Sequence, residues 1–160
     1  MKSLRRARAI ALASRKFGLL AGLLLGGTQG AFAAPWVAGE TRVYADTCWE
    51  RDSGDVAGHI IAITKRHDGW TITYSWSEGA LAAPVRASSI AYDQSSGHLA
   101  FSVYVPDAHG GTATFDGLLR DPVLTGNVKE YWEETASPVT LHRTRSRHPD
   151  EPKLFCRASR

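Results

Sequence analysis

The sequence predicts an all-β protein in which eight antiparallel strands follow one another and close into a small up-and-down barrel. Short segments rich in Val, Ile, Thr and aromatic residues recur along the chain, and Gly, Asp and Pro separate them. Apolar and polar residues alternate within these segments, as they do in half-buried strands. No interior segment has a persuasive helical period, which disfavours a helical or α/β fold. A two-layer β-sandwich is the alternative architecture.

The eight predicted strands, in chain order, are Thr41–Glu50, Gly58–Arg66, Trp70–Ser77, Val85–Tyr92, His98–Val105, Gly111–Leu119, Leu124–Trp132 and Val139–Thr144. Each is joined to the next by a short connection. Because parallel neighbours need a crossover of about a dozen residues or more, the neighbouring strands are predicted to be antiparallel.

The first three strands carry the clearest alternation. The first has Val43 and Ala45 on one face, and the second has Ile61 and Ile63. An Asp-Gly pair, typical of tight hairpins, then leads into the third strand. One face of the third strand carries only large side chains, namely those of Trp70, Ile72, Tyr74 and Trp76. This aromatic face is predicted to pack inside the barrel.

The remaining strands are identified by the same alternation. The fourth is the least regular, with Val85 and Tyr92 on opposite faces. The fifth and sixth place alternate apolar side chains inward, including Phe101 and Phe115. The seventh is interrupted by Glu130, and the eighth completes the meander. Eight such strands can close into a barrel.

Residues 1–33 are predicted to be a signal peptide. A basic head precedes the apolar run Phe17–Leu25, and Ala31-Phe32-Ala33 forms a small-x-small cleavage site. The run is shorter than the roughly 20 apolar residues that a spanning helix needs. We therefore expect a protein exported to the periplasm or secreted, in a Gram-negative envelope, with no transmembrane span in its mature form.

Removal of this peptide changes the charge of the chain. The full sequence has a formal charge of +3, but all of its 16 acidic residues lie after the signal peptide. The mature chain is acidic, with no basic patch interleaved with aromatic residues in its body, so nucleic acid is not an expected partner. We expect one barrel domain over residues 34–145 and a basic tail over 146–160. In an oxidising compartment Cys48 and Cys156 are expected to form a disulfide that ties the tail back.

The longer connections collect at one end of the predicted barrel, because alternate connections of a meander lie at the same end. Long connections at one end indicate a mouth, and these carry mostly carboxylates. The apolar loop Gly79–Pro84 is predicted to act as a lid or a contact patch. The candidate ligand-binding residues are Tyr74, Trp76, Glu78, Asp107, Trp132, Glu133 and Glu134. The alternative is that the aromatic residues only fill the core and the carboxylates only solubilise the loops.

No catalytic, metal-binding or cofactor-binding residue is predicted. The sequence contains no nucleophile elbow, no HExxH, no P-loop and no GxGxxG opening a helix, and its six histidines are spread singly. His59 is interpreted as a surface or hydrogen-bonded histidine. An enzyme remains only a minor alternative.

The predicted architecture resembles the lipocalin-like, or calycin, group of small exported barrels. The resemblance rests on strand number, meander order, one disulfide and export, while the lipocalin Gly-x-Trp is not matched at Trp49, which follows Thr47-Cys48. It implies ligand binding in the barrel or partner binding at its rim. The first hypothesis is a monomeric protein that binds a small amphipathic or cationic ligand. The second is a protein-binding module or inhibitor, for example of a basic cell-wall hydrolase.

Overall fold

The computed structural model describes residues 35–106, 110–145 and 154–156, without the side chain of Glu78. Its strands are β1 (Thr41–Ala45), β2 (Cys48–Trp49), β3 (Val56–Lys65), β4 (Trp70–Gly79), β5 (Val85–Asp93), β6 (His98–Val105), β7 (Gly111–Arg120), β8 (Val123–Lys129) and β9 (Ser137–Thr144).

Hydrogen bonding between the two ends of the meander closes the sheet into a barrel. Each strand from β3 to β8 pairs antiparallel with the next one along the chain, so that the series ends at β9. Strand β1 pairs with β9 on one side and with β3 on the other. Eight strands therefore form a closed ring, and β2 is an additional short strand paired with β3. The predicted eight-stranded barrel is confirmed, and the sandwich alternative is excluded.

The first predicted strand is the one whose bounds change most. Thr41–Glu50 was expected to be continuous, but the structure divides it into β1 and β2. Gly58 lies in the part of β3 that faces the break, and its φ of +110° is a conformation that glycine adopts readily and other residues rarely do. The seventh predicted strand is also shorter than expected, because β8 ends at Lys129 rather than at Trp132.

The inner face of the ring forms one contiguous core. Its fully buried large side chains come from β1, β3, β4, β6, β7, β8 and β9, and they are Tyr44, Ile61, Ile63, Ile72, Tyr74, Leu99, Val103, Phe115, Leu124, Val128 and Leu141. Strand β5 adds the half-buried Ile90 and Tyr92. The alternation read from the sequence therefore identifies the buried face of most strands correctly.

Two facing glycines make room for the ring of Phe115. Gly117 on β7 lies directly opposite Gly126 on β8. A Cβ added at either position would come within 2.7–2.8 Å of Phe115 Cζ, and it would also collide with the main chain of the neighbouring strand. An aromatic ring lying over strand glycines of this kind stabilises a sharply curved sheet.

A buried arginine fills the end of the barrel that carries the tight turns. Arg42 is only 2% exposed, and its guanidinium donates hydrogen bonds to both carboxylate oxygens of Glu40, at 2.6 and 3.1 Å. It also lies 3.4 Å from Asp121 Oδ2 and 4.0 Å from the centre of the Trp36 ring. Arg143 completes the group at 2.7 Å from Asp121. The paired charges make this end a neutral plug.

The disulfide expected from the sequence is present and attaches the C-terminal segment to β2. Cys48 bonds to Cys156 across a sequence separation of 108. The Trp49 N–H donates to the carbonyl of Leu154, and the Cys156 N–H donates to the carbonyl of Trp49, both at 2.8 Å. In the chain-entropy picture, closing a loop of this length stabilises the fold by roughly 4–5 kcal/mol.

Several expectations concern parts of the chain outside the described residues. These are the signal peptide at 1–33, Asp107, the side chain of Glu78 and most of the basic tail at 146–160. Within the described ranges there is no helix long and apolar enough to cross a membrane.

Replacing Arg42 with Met tests the plug. We expect Arg42→Met to lower the free energy of unfolding by about 3 kcal/mol, because it removes two hydrogen bonds to Glu40 and the positive charge beside Asp121, which is only 10% exposed. Arg143→Met is the matched control and should cost about 1 kcal/mol or less, since Arg143 is 34% exposed. Urea unfolding monitored by fluorescence measures both. Equal losses in the two variants would contradict the role assigned to Arg42.

Candidate functional site

The residues of the candidate site come from four separate places in the chain. Asp46 follows the end of β1, His59 lies near the start of β3, Trp76 lies near the end of β4, and Glu130 follows the end of β8. The antiparallel meander brings these strand ends together at the barrel end with the longer connections. His59 and Trp76 are directly opposed in the β3–β4 register. Alternation along the strands turns both, together with Glu130, toward the inner face.

A polar cluster of Asp46, His59, Tyr74 and Glu130 lies at this end. Asp46 Oδ1 accepts a hydrogen bond of 2.6 Å from the His59 main-chain N–H, and Asp46 Oδ2 lies 3.3 Å from His59 Nδ1. On the other side of the imidazole, Nε2 lies 3.7 Å from Glu130 Oε1. The Tyr74 hydroxyl donates a hydrogen bond to the same oxygen of Glu130. One imidazole is therefore flanked by two carboxylates.

Gly58 makes the approach of Asp46 to His59 possible. A Cβ at position 58 would lie 2.8 Å from Asp46 Oδ1 and 3.0 Å from the Asp46 carbonyl oxygen. The positive φ of Gly58 is at the same time strained for other residues. The break between β1 and β2 thus has a local purpose, because it places a carboxylate against the main-chain N–H of His59.

The electrostatic environment favours a charged His59. Burial opposes the positive charge, but the hydrogen bond to Asp46 and the negative charges of Asp46, Glu130 and Glu133 outweigh it and raise the pKa of His59. Burial also raises the pKa of the Tyr74 hydroxyl, and the adjacent Glu130 carboxylate raises it further. Tyr74 therefore stays protonated and acts as a hydrogen-bond donor to Glu130.

An aromatic column leads from this cluster to solvent. The Trp132 ring is 6.3 Å from the Trp76 ring, which stacks on Tyr74 at 5.6 Å. The column continues inward from Tyr74 through Phe101 to Phe115 at centroid distances of 6.1 and 5.3 Å. Trp132 is 43% exposed, whereas Tyr74 is fully buried. The column therefore has a solvent-facing end beside the carboxylates and a buried end in the core.

The structure unites part of the predicted site. Tyr74, Trp76 and Trp132 stand in ring contact, and Glu133 is close enough to influence the pKa values of both His59 and Tyr74. Glu134 is exposed. The other two predicted carboxylates, the side chain of Glu78 and Asp107, lie outside the described residues.

Three members of the polar cluster were not among the predicted site residues. The sequence pattern does not single out Asp46, it predicts only that His59 is a surface or hydrogen-bonded histidine, and it presents Glu130 as an interruption of a strand. His59 is indeed hydrogen-bonded, through Asp46. Their position in the strand pattern could have identified them, because His59 and Glu130 continue the inner-face alternation of β3 and β8. A titratable residue at an inward position was the sign of a site.

The apolar loop after β4 lies on the outside of the barrel wall rather than over the mouth. Residues 81–84 cover a groove of about 380 Å³. The opposite wall of this groove is made by outward-facing side chains of β1, β3 and β4, which are Val43, Ile60, Ala62, Thr73 and Ser75. The loop is held there in part by a hydrogen bond of 2.8 Å from the Ala82 N–H to the Trp76 carbonyl.

The cluster has the chemistry of a site for positive charge. Carboxylates attract a cation, and the faces of Trp and Tyr rings attract it further. Among the described residues, no group of three or more His, Cys, Asp and Glu side chains is arranged to hold a metal ion.

No protein-family model, curated protein sequence or solved structure matches this chain. Kinship with the lipocalin-like proteins therefore stays a prediction.

The raised pKa of His59 makes the stability of the fold depend on pH. The charged form of His59 is favoured in the folded state. The contribution of His59 to the free energy of unfolding is therefore complete below about pH 6.5, the usual pKa of His. This contribution is lost as the pH rises through the pKa that His59 has in the folded state. The loss is about 1.4 kcal/mol for each unit separating the two pKa values. Urea unfolding between pH 5.5 and 8.5 measures it.

The matched variants for this experiment are His59→Gln and His67→Gln. The first should remove the loss of stability across this range, whereas the second changes an exposed turn residue and should keep it. If wild type and His59→Gln show the same dependence on pH, the assignment to His59 is wrong.

Proposed function

We propose that this protein is an exported, non-catalytic binding protein that holds a small amphipathic cation at its rim. The rim site consists of Trp76, Trp132 and Glu133, above the polar cluster. The observation that carries the proposal is the indole of Trp132, which is 43% exposed at the solvent-facing end of the aromatic column and immediately precedes Glu133 in the chain.

The preference for a cation follows from the charge at this end. Asp46, Glu130 and Glu133 all act electrostatically on His59, the one basic member of the polar cluster. Even a protonated His59 balances only one of these carboxylates. The surplus of negative charge attracts a positive ligand from a distance and orients it as it arrives.

The aromatic side chains add affinity for the same kind of group. A cation over the face of a Trp ring gains about 0.5–1 kcal/mol at an exposed site, and more where water is excluded. The half-buried Trp76 and the exposed Trp132 lie next to each other, with 6.3 Å between ring centres and an angle of 49° between ring planes. The apolar part of an amphipathic ligand can pack against these rings while its charge faces Glu133.

The packing of the barrel supports binding at the rim rather than deep inside. An eight-stranded barrel is just wide enough either to be filled by side chains or to hold one small ligand. Here Tyr74, Phe101 and Phe115 are buried in the same continuous core cluster as the aliphatic side chains. A ligand would therefore rest on the aromatic column instead of replacing it.

Export is part of the proposal for two reasons. The N-terminal sequence has the pattern of a signal peptide, and the Cys48–Cys156 disulfide is of a kind that persists in oxidising compartments.

Benzyltrimethylammonium is a direct probe of the site, because its charge is fixed and its ring is apolar. We expect it to bind and to perturb tryptophan fluorescence, and we expect its neutral isostere, with carbon in place of nitrogen, to bind far more weakly. Trp132→Ala should weaken binding about fivefold, the equivalent of about 1 kcal/mol. Glu133→Gln should also weaken it. Isothermal titration calorimetry provides the affinities.

The matched controls lie away from the rim. Leu118→Ala removes a partly exposed apolar side chain from β7, and Asp116→Asn removes an exposed carboxylate from the outer face of the same strand. Both should leave the affinity unchanged. Equal binding of the charged probe and its neutral isostere would rule out a cation site.

A basic protein partner, such as a cell-wall hydrolase, is the second candidate. It is favoured by the packed core together with the exposure of Trp132 and Glu134 at the rim. In that case a purified lysozyme should be retained by the immobilised protein at low salt. Joint reversal of Glu133 and Glu134 to Lys should abolish retention, because opposite charge guides such encounters. Retention that survives the reversal would contradict this account.

A further inference from the structure

The imidazole of His59 lies between two carboxylates, which are the kind of surroundings that favour a bound cation. Its two ring nitrogens face two different carboxylates, Asp46 at 3.3 Å and Glu130 at 3.7 Å. Its plane lies within 16° of the plane of the Tyr74 ring, with 6.0 Å between the ring centres. Negative charge together with an aromatic face is also what the rim site offers to a cationic ligand, through Glu133, Trp76 and Trp132.

We propose that protonated His59 is an internal substitute for the cationic ligand, so that ligand binding at the rim releases the proton of His59. This inference rests on the proposed cation-binding function and adds its regulation. The ligand and the proton compete for the same negative charge. The site therefore binds its cation more tightly when His59 is neutral and more weakly when it is charged.

The competition follows from the charges that face His59. Asp46 reaches it from the segment after β1, and Glu130 and Glu133 reach it from the segment after β8. From β4 the neighbour is the Tyr74 hydroxyl, which stays protonated because burial and Glu130 raise its pKa. The side chain of Glu78, a residue near the end of β4, lies outside the described residues.

A second positive charge placed at the rim lowers the affinity of His59 for its proton, because like charges disfavour one another. Linkage makes the effect reciprocal, so protonation of His59 lowers the affinity for the ligand by the same factor. Couplings between two sites in one protein are typically about 5- to 150-fold. We expect about tenfold here, because His59 lies directly opposite Trp76 of the rim site in the β3–β4 register, while the ligand itself rests outside the polar cluster.

Neutral His59 also changes the hydrogen bonding of the cluster. A neutral imidazole carries one N–H, whereas the imidazolium carries two. Loss of the proton therefore leaves either Asp46 or Glu130 facing a nitrogen that no longer donates. Asp46 keeps its hydrogen bond from the His59 main chain and Glu130 keeps its hydrogen bond from Tyr74, but the carboxylate that loses a donor is less completely compensated, which acts in the same direction as the loss of positive charge.

The test measures benzyltrimethylammonium binding to the oxidised protein from pH 5.5 to 8.5 at constant ionic strength. The probe itself does not titrate. The affinity should rise about tenfold across the range, with a slope of no more than one logarithmic unit per pH unit. The binding enthalpy should differ between phosphate and Tris buffers near the middle of the range, because the released proton is taken up by the buffer.

Two variants separate His59 from the other histidines. His59→Gln should bind the probe with an affinity that is nearly independent of pH. His98→Gln is the matched control, because His98 is 47% exposed and contacts only Asp116 on the outer face of β7 among the described ion pairs. It should keep the full dependence on pH.

Proton resonance measurements on the wild type keep the test independent of any variant. The C2–H resonance of His59 should titrate about one pH unit lower when the probe is saturating than in its absence. Binding at every pH with the same affinity and no shift of this resonance would overturn the inference and leave the cation site intact. Absence of binding at any pH would overturn the proposed function and this inference together.

Discussion

The hydrogen-bonded closure of the ring, in which β1 pairs with both β9 and β3, is the constraint on which the other features depend. Because the wall has no gap between its first and last strands, one face of every strand is directed into a single small volume. That volume is filled by the large inner-face residues, among them Tyr74 and Phe115. Polar groups on the inner face can then be accommodated only at the two ends.

The two ends of the barrel accommodate their inward-facing polar groups in different ways. At the tight-turn end, Arg42 and Arg143 face Glu40 and Asp121, and a tryptophan covers the guanidinium of Arg42. Charges of both signs are matched there, so the end is a structural plug. At the opposite end carboxylates outnumber the single imidazole of the polar cluster, and the aromatic column reaches solvent. This difference in charge balance is the physical basis for placing the proposed binding site at one end only.

The strands and the order of the barrel could be predicted because alternation is a local property of the chain. The stripe from Trp70 to Trp76 shows it most clearly, and the structure places its residues on the inner side. Position along a strand also located Trp76 and Trp132 near the end of the barrel that carries the longer connections. Glu130 is harder to interpret, because a carboxylate within an apolar alternation weakens the strand signal. Its position nevertheless continues the inward-facing alternation of β8.

The contacts that complete the candidate site and the plug could not be predicted from the local sequence pattern. The hydrogen bond from Tyr74 to Glu130 joins residues 56 positions apart, and Arg42 meets Asp121 across 79. Such contacts depend on register, twist and the conformation of Gly58, which the sequence does not specify by itself. The same is true of the loop at 81–84, whose apolar composition fits a mouth lid as well as the outer-wall position that it takes.

The attachment of the C-terminal segment has a consequence for association between molecules. Strand β2 is the one strand of the described fold outside the closed ring, and unpaired strand edges promote association between molecules. Residues 154–156 cover that edge by main-chain hydrogen bonds to Trp49, and the bond between Cys48 and Cys156 fastens the cover. Oxidation of the two thiols therefore protects the molecule from aggregation as well as from unfolding, and a reducing environment would remove both protections at once.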